Sequence, residues 1–595
     1  MKVYIFNGII CFFHVLILYG GVSLISRSNQ FFLQGCRFLL PCLLGLVVAA
    51  TPVLAASDKT ERLPGVVDRP TPELPKDVEG RTTADMPIPA APTGEEVADP
   101  NRTLMDNLSE VTFSGFSVLD EATLQQAVAP FIGHALSAAD LAELKYAITR
   151  QYYDRGYVLV KVTTPPQDVS DGVLDVVIYE AQIGNIDIVD NDAVSPYLVE
   201  QMSKRVKSGE VFRERTVESM VNDVNDLGGV SASLNLRPGA QVGTTDMALI
   251  VEPTNDDVQR FTIDNYGSEL TGEYVGMAQL QKSNLLGWGE TLRFTGRKSD
   301  TDLWGILVGA TVPTGLRNIK MDVDFGYSEN DIGGPLDPLG ASGESTYFGL
   351  SFFSALINQR SQKLNVRFGF EATESKSYLA GVTESKTDLR KFFLEGNYLW
   401  NMPTTVGYVS LRLTQGVDIF GASDENDPMI GRVGGDPQGF KLQPVLYIGH
   451  RVAENGLLKA LFVGQWANEA LQGADLFVAG GYGTVRGFDP GQISGERGMI
   501  VNLEYQHKIY QHDPWSVLLG PFLDAGKVYN EIKTDSNHPD DTLVSAGLGL
   551  EVSTTPSLWD YGNSNLRFDW AHQVGDYASA VQDSNTFYFR FTQTF

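Results

Sequence analysis

From about residue 258 to the C-terminus the chain alternates apolar and polar side chains with a period of two. Ile319, Met321, Val323, Phe325 and Tyr327 are apolar or aromatic, and Lys320, Asp322, Asp324 and Gly326 between them are ionic or glycine. The same alternation runs through 366–370, 409–414 and 566–570. Successive side chains of a strand point to opposite faces, so each segment is predicted to be a two-faced strand. A soluble sheet would bury its apolar face. Here the other face carries Arg, Asp, Lys and Asn in strand after strand, which suits a barrel with lipid outside and a wet lumen. A large soluble β-protein is the alternative. Sixteen strands are predicted, near 258–266, 273–283, 289–298, 302–312, 318–327, 346–355, 363–372, 388–399, 406–415, 441–451, 457–466, 498–508, 514–524, 542–553, 564–573 and 586–595. Connections after the fifth, ninth, eleventh, thirteenth and fifteenth strands are long and rich in Gly, Asp, Asn and Pro, as at 328–345 and 418–440. Most connections after even-numbered strands are short, as at 313–317 and 401–405. Long loops at one rim and short turns at the other are the asymmetry of outer-membrane barrels, and they put both barrel ends at the periplasmic rim.

Before residue 258 the period is different. Residues 111–181 predict a strand at 111–119 and a helix at 121–128 capped by Asp120. A second helix is capped by Ser137, with Leu141, Leu144 and Ile148 on one buried face. It stops near Gly156, and strands follow at 157–163 and 172–179. Residues 182–253 repeat the order, with a strand at 183–189, helices at 194–206 and 213–227, and strands at 230–236 and 247–251. Each segment is large enough only for a small domain.

The chain therefore divides into 1–56, a signal or targeting segment; 57–104, a linker; 105–181 and 182–253, two small modules; and 254–595, the barrel. In the first segment Arg37 precedes the apolar run 38–50 and a small-residue end at Ala55 and Ala56, as in a signal peptide. An earlier apolar run at 4–25 makes the segment long, which fits an extended signal, an upstream start codon or a membrane anchor. The linker carries Pro64, Pro70, Pro72, Pro75, Pro87, Pro89, Pro92 and Pro100, a density that blocks helix.

Composition narrows the function. A formal charge of −28 argues against nucleic acid as a partner, because phosphate binding needs clustered cations. Beyond residue 55 no run of 18 apolar residues occurs, which excludes a helical membrane protein for the mature chain and leaves a β-barrel open. Cys11, Cys36 and Cys42 all lie in the targeting segment, so its removal would leave no disulfide and no thiolate metal site. The glycine-rich run from Gly520 to Lys527 imitates a P-loop, but its spacer is one residue too long and Val528 stands where a hydroxyl is needed. His507 and His512 flank a turn and are expected at the rim. No cofactor, metal or enzymatic activity is expected. An outer-membrane hydrolase using His572 and a nearby serine is the enzyme alternative, and it leaves the modules unexplained.

The longest barrel loop carries Gly480, Gly481, Tyr482, Gly483, Thr484, Val485, Arg486, Gly487 and Phe488. Its glycines let the loop fold tightly back on itself. Arg486 offers a planar fork suited to a carboxylate. Asp524 and Phe522 share the lumen parity of the thirteenth strand. A loop folded into the lumen could put Arg486 against Asp524 as a bidentate latch. The alternative is a solvated loop arginine and an unrelated aspartate.

Val485-Arg486-Gly487-Phe488 resembles the loop-6 motif of the bacterial superfamily of outer-membrane assembly and two-partner secretion proteins. Phe522-Leu523-Asp524-Ala525-Gly526 is similar to its inner-wall motif, and the two resemblances together favour the pairing of Arg486 with Asp524. Asp264-Asn265-Tyr266-Gly267 resembles the first barrel strand of the two-partner secretion transporters, the hemolysin secretion/activation (TpsB) family. The two modules match that family's POTRA domains. Phe587, Phe589, Phe591 and Phe595 share one face of the last strand, and Phe591 with the terminal Phe595 resembles the signal read by the barrel assembly machinery. The resemblance runs in order over 111–595. It implies a transmembrane β-barrel of sixteen antiparallel strands in the outer membrane of a Gram-negative bacterium, preceded by two α+β POTRA domains in the periplasm. It also implies type V, two-partner secretion of one dedicated, large β-helical exoprotein, an adhesin or hemolysin. The POTRA domains would capture the unfolded client on sheet edges, with 158–162 and 174–178 in the first module and 230–236 in the second as the candidate edge or near-edge strands. The barrel, set in outer-membrane lipid, would pass the client outward without ATP, driven by folding outside. Family members can begin with a helix that plugs the barrel, and the proline-dense linker leaves little room for one. The alternatives are a barrel-inserting assembly factor, against which the presence of two modules rather than several argues, and a diffusion porin, which needs neither modules nor latch.

Overall fold

The computed structural model describes residues 99–595 apart from 302, 533–539, 556–561 and 576–583. The targeting segment and the linker up to residue 98 lie outside the described residues, and with them the question of a plug helix.

The first module contains β1 (Thr103–Met105), β2 (Glu110–Ser114), α1 (Glu121–Val128), β3 (Leu136–Ser137), α2 (Ala138–Tyr153), β4 (Val160–Thr163) and β5 (Val173–Glu180). The last residues of the expected linker therefore form a strand, β1 paired with β3, and Met105 is drawn into the core. The Asp120 carboxylate caps α1 by accepting from Thr123 N at 2.7 Å. Ser137 and Asp140 form a reciprocal capping box on α2. Leu144, Ile148 and Tyr152 are buried one turn apart along it. The predicted strand 111–119 stops at Ser114, because Gly115 takes φ +80° with the Ile178 carbonyl oxygen where a Cβ would sit. The sheet order is β2–β5–β4, with β2 parallel to β5. Segment 174–178, expected at or near an edge, is thus the central strand, and the edges are β2 and β4.

The second module repeats the order with β6 (Gln182–Val189), α3 (Pro196–Ser203), α4 (Glu214–Asn225), β7 (Val230–Pro238) and β8 (Thr244–Pro253). Its sheet runs β6–β8–β7, which leaves 230–236 on an edge. Both helices are shorter than the sequence pattern predicts. Pro196, with its preset φ, sits at the start of α3.

The barrel comprises β9 (Val258–Asp264), β10 (Val275–Ser283), β11 (Thr291–Ser299), β12 (Trp304–Pro313), β13 (Lys320–Asp331), β14 (Ala341–Asn358), β15 (Gln362–Leu379), β16 (Val382–Asn401), β17 (Thr405–Gly416), β18 (Phe440–Ala453) and β19 (Gly456–Ala467). The loop that follows contains the short strands β20 (Phe477–Ala479) and β21 (Ile493–Gly495). The wall resumes with β22 (Arg497–His512), β23 (Trp515–Tyr529), β24 (Asp540–Thr554), β25 (Asn563–Gln573) and β26 (Asn585–Thr594). Sixteen antiparallel strands close into a ring through β26 and β9. Phe261, Ile263, Leu394, Leu411, Leu503, Leu523 and Phe568 are exposed on the outside, whereas Asp322, Lys391, Lys441 and Asp524 are buried on the opposite parity. β14, β15 and β16 reach 18, 18 and 20 residues, much longer than their period-two signal. At their far ends the face that carries Phe368 and Phe370 lower down carries ions instead, such as the Lys376–Glu374 and Lys386–Asp388 pairs, each at 2.6 Å, so the apolar alternation fades while the pairing continues.

The second module is docked on the periplasmic turns. Asn222 Nδ2 donates to Asn358 O at 2.9 Å, and the Glu218 carboxylate accepts from Arg360 N at 2.6 Å. Lys363 Nζ lies 2.9 Å from the Asp226 carboxylate. Asn284 Nδ2 donates to Ala193 O at 2.6 Å.

Candidate functional site

The loop between β19 and β22 folds back into the lumen as a hairpin, with β20 antiparallel to β21. Gly480, Gly481, Gly487 and Gly491 have positive φ and shape its tip. Val485 and Phe488 are buried with Phe477, Ala479, Ile493 and the wall residues Ile500, Val528 and Leu543. Gly526 makes this packing possible, since a Cβ there would lie 2.8 Å from Val485 Cγ2.

That packing delivers Arg486 to the wall. Its Nε lies 2.7 Å from Asp524 Oδ2 and its Nη2 3.0 Å from Oδ1, a bidentate fork. The Arg486 backbone N–H also donates to Asp524, at 3.2 Å. Nη1 reaches Glu504 at 3.0 Å and Asp569 at 3.2 Å. The guanidinium carbon lies 3.4 Å from the centre of the Phe522 ring, a cation–π contact. Arg567 supports the carboxylates from the other side, 2.9 Å from Glu504 and 2.7 Å from Asp569. Arg486 thus meets three acids on β22, β23 and β25, two of which Arg567 shares; Asp524 and Asp569 are buried and Glu504 is partly buried. The next residue, Gly487, donates its N–H to Tyr588 Oη at 2.9 Å, and its carbonyl accepts from Gln573 and Thr586 at 2.7 and 3.1 Å.

The first-strand motif closes the seam between β9 and β26, and its Tyr266 reaches the loop tip. The Asn265 side chain donates to Phe587 O at 2.9 Å and accepts from Phe589 N at 2.7 Å, so it continues the ladder where β9 has ended. The Asp264 carboxylate accepts from Tyr266 N at 3.1 Å. Tyr266 stacks on Tyr482 of the loop tip, with centroids 3.6 Å apart, and both meet Tyr588 edge-on. Gly267 has the Gly272 carbonyl oxygen where a Cβ would be, so no side chain fits. Phe591 lies opposite Ile263 across the seam, and Phe595 packs 6.2 Å from Phe261 on the outer face. The sequence reading missed Glu504, Asp569, Arg567, Tyr482, Tyr266 and Tyr588 as members of this centre. Strand parity alone put Arg567 and Asp569 on the lumen face. Among the described residues no group of His, Cys, Asp and Glu could hold a metal ion.

A closed outer-membrane barrel with a loop latched inside it, preceded by two strand–helix modules of which the second is docked on its periplasmic turns, is the architecture of an outer-membrane protein transporter. The chain belongs to the haemolysin secretion/activation family: the family model described as "Haemolysin secretion/activation protein ShlB/FhaC/HecB" matches residues 243–552. A "POTRA domain, ShlB-type" model matches 107–181. The heme/hemopexin transporter protein HuxB of Haemophilus influenzae is 23% identical over 72% of this chain and 77% of its own. The outer membrane transporter CdiB of Escherichia coli is 24% identical over 75% and 76%. The solved structure of CdiB from Escherichia coli superposes with a TM-score of 0.70 at 21% identity, covering 86% of this chain and 94% of that one. CdiB from Acinetobacter baumannii gives 0.62 at 15% identity, covering 96% and 100%. The protein is a two-partner secretion transporter of the outer membrane, with its POTRA region in the periplasm.

Proposed function

We propose that this transporter exports one dedicated, large β-helical exoprotein, that its POTRA sheet edges capture the unfolded client, and that no covalent chemistry is involved. The observation that carries the reading is the lumen-folded loop, fixed by Arg486, above a periplasmic module held on the turns. A diffusion porin has no use for either feature. The edges differ in what they offer. On β7 the Asn225 side chain covers Ala232, accepting from its N–H at 2.6 Å and donating to its carbonyl at 3.1 Å. Backbone groups alternate in direction along a strand, so Leu234 and Leu236 present theirs on that same open side. An extended client can add there as a further strand, its backbone supplying affinity and its alternate side chains selectivity. Export draws on no nucleotide; folding of the client outside prevents its return. The lipid-facing aromatics of β26, ending at Phe595, fit insertion by the barrel assembly machinery. Names of relatives agree with a protein cargo class: HpmB of Proteus mirabilis is called a hemolysin transporter protein.

The test is co-expression of this chain with a candidate exoprotein, chosen from any large secreted β-helical proteins whose genes neighbour its own, in a bacterium lacking both. Client in the medium only when the chain is present supports the proposal. Client retained in the periplasm, together with a change in the levels of other outer-membrane barrels, favours an assembly factor.

A further inference from the structure

The latch motif holds the tip of loop 6, and a separate ionic centre sits at its root. Asp475 lies in the outgoing leg, just before β20. Its Oδ1 is 2.7 Å from Lys391 Nζ on β16 and 2.5 Å from Lys441 Nζ on β18. Asp475, Lys391 and Lys441 are 6%, 5% and 3% exposed. The one carboxylate therefore spans β17 and ties two wall strands to the loop. Gln465 on β19 completes the pinch, because its Nε2 donates to the Asp475 carbonyl at 2.9 Å and to the Glu496 carbonyl at 3.0 Å, joining the outgoing and returning legs. Glu496 is itself buried and held by Arg432 of the preceding extracellular loop at 2.6 Å.

We propose that Asp475 is a second positioning residue of loop 6, which fixes the root of the hairpin independently of Arg486. The stem alone cannot do this. β20 and β21 are three residues each, and an isolated two-stranded hairpin is marginal in water. A hairpin held only at its tip would pivot in the lumen, and one held at both ends stays in register with the wall. Neutralising Asp475 would also leave two buried ammonium groups close together without their shared anion, which favours displacement of the root. The inference does not depend on which client is carried.

The experiment uses the full chain in lipid nanodiscs and planar bilayers, with Cys11, Cys36 and Cys42 replaced by serine. Spin labels at Ala474→Cys in the root and Leu446→Cys on the lipid face of β18 report their separation by pulsed EPR. The unaltered loop should give one narrow distance. Asp475→Asn should broaden it and raise the frequency of channel openings by about tenfold, the factor that ~1.4 kcal/mol of lost anchoring gives. Asp475→Glu should restore the narrow distance. Arg486→Ala should leave the root distance narrow while freeing the tip. A narrow root distance in Asp475→Asn overturns the proposal, as does equal broadening in Arg486→Ala. If Asp475→Asn does not assemble into a heat-modifiable barrel, Lys391→Met with Lys441→Met removes the anchor from the wall side. The same broadening is then expected, and an unchanged distance contradicts the inference.

Discussion

Arg486 and Asp524 meet edge to edge, Nε to Oδ2 at 2.7 Å and Nη2 to Oδ1 at 3.0 Å, with the aspartate wholly buried. This geometry uses both oxygens of one carboxylate and leaves Nη1 free to serve Glu504 and Asp569. The loop tip is thereby tied to three wall strands through a single side chain.

Arg486→Ala should lower client export several-fold while the barrel still assembles. The loss of hydrogen bonds between charged groups is worth about 1.5–3 kcal/mol. Arg486→Lys should rescue poorly, because an ammonium cannot reproduce the fork. Secreted client, measured beside the amount of heat-modifiable barrel, checks both.

Asn265→Ala should weaken the seam. Its amide supplies two hydrogen bonds to β26 beyond the last paired residue of β9. Their loss should cost about 1–3 kcal/mol, read as a lower temperature for conversion of the folded to the unfolded gel band. An unchanged conversion temperature would show that the ladder closes without it.

Leu236→Pro should impair client capture and leave the module folded. It removes an N–H from the open side of β7, where no neighbouring strand pairs. One lost bond of about 0.5–1.5 kcal/mol corresponds to binding roughly two- to tenfold weaker. Binding of the client's N-terminal segment to the purified full chain measures this, and unaltered affinity would remove β7 as the capturing edge.

Glu180 should make the first module acid-sensitive. Burial raises its carboxyl, but the Ser117 hydroxyl, the Ser117 and Val118 N–H groups and Tyr152 Oη outweigh this and hold it below the usual glutamate value. A depressed folded value stabilises the module above the unfolded pKa of about 4.3. That contribution is lost as pH falls through the folded value. The protection of β5 against hydrogen exchange, relative to the intrinsic rate at each pH, should therefore fall below about pH 4.3, and Glu180→Gln should be less protected at pH 7 with less change on acidification. Equal acid sensitivity in both would assign the effect to another group.

Much of this was readable from residue order. Wall strands announce themselves by parity, since Met321, Val323 and Phe325 must face lipid if Asp322 and Asp324 face water. The pairing of Arg486 with Asp524 was readable from two resemblances together, the loop-6 motif that singles out Arg486 and the inner-wall motif that singles out Asp524 among several lumen acids. Parity assigns a face but not neighbours, so nothing in the sequence brings Glu504, Asp569 and Arg567 to the same point. Those contacts depend on strand register around the closed ring. The central place of β5 was hidden for a similar reason. Its partner β2 lies across two helices in the chain and pairs in parallel, which no local pattern reports.

Export through this lumen brings the client against lumen-facing side chains and not against lipid-facing ones. A client stalled by a folded C-terminal domain can be trapped in cells carrying a photoreactive residue at one barrel position. Tyr347 faces the lumen, with its hydroxyl on Glu371, and its neighbour Phe348 is exposed to lipid. Client crosslinks from position 347 and none from position 348 are the predicted result; crosslinks from 348 alone, or none from 347 while export proceeds, would contradict passage through the barrel.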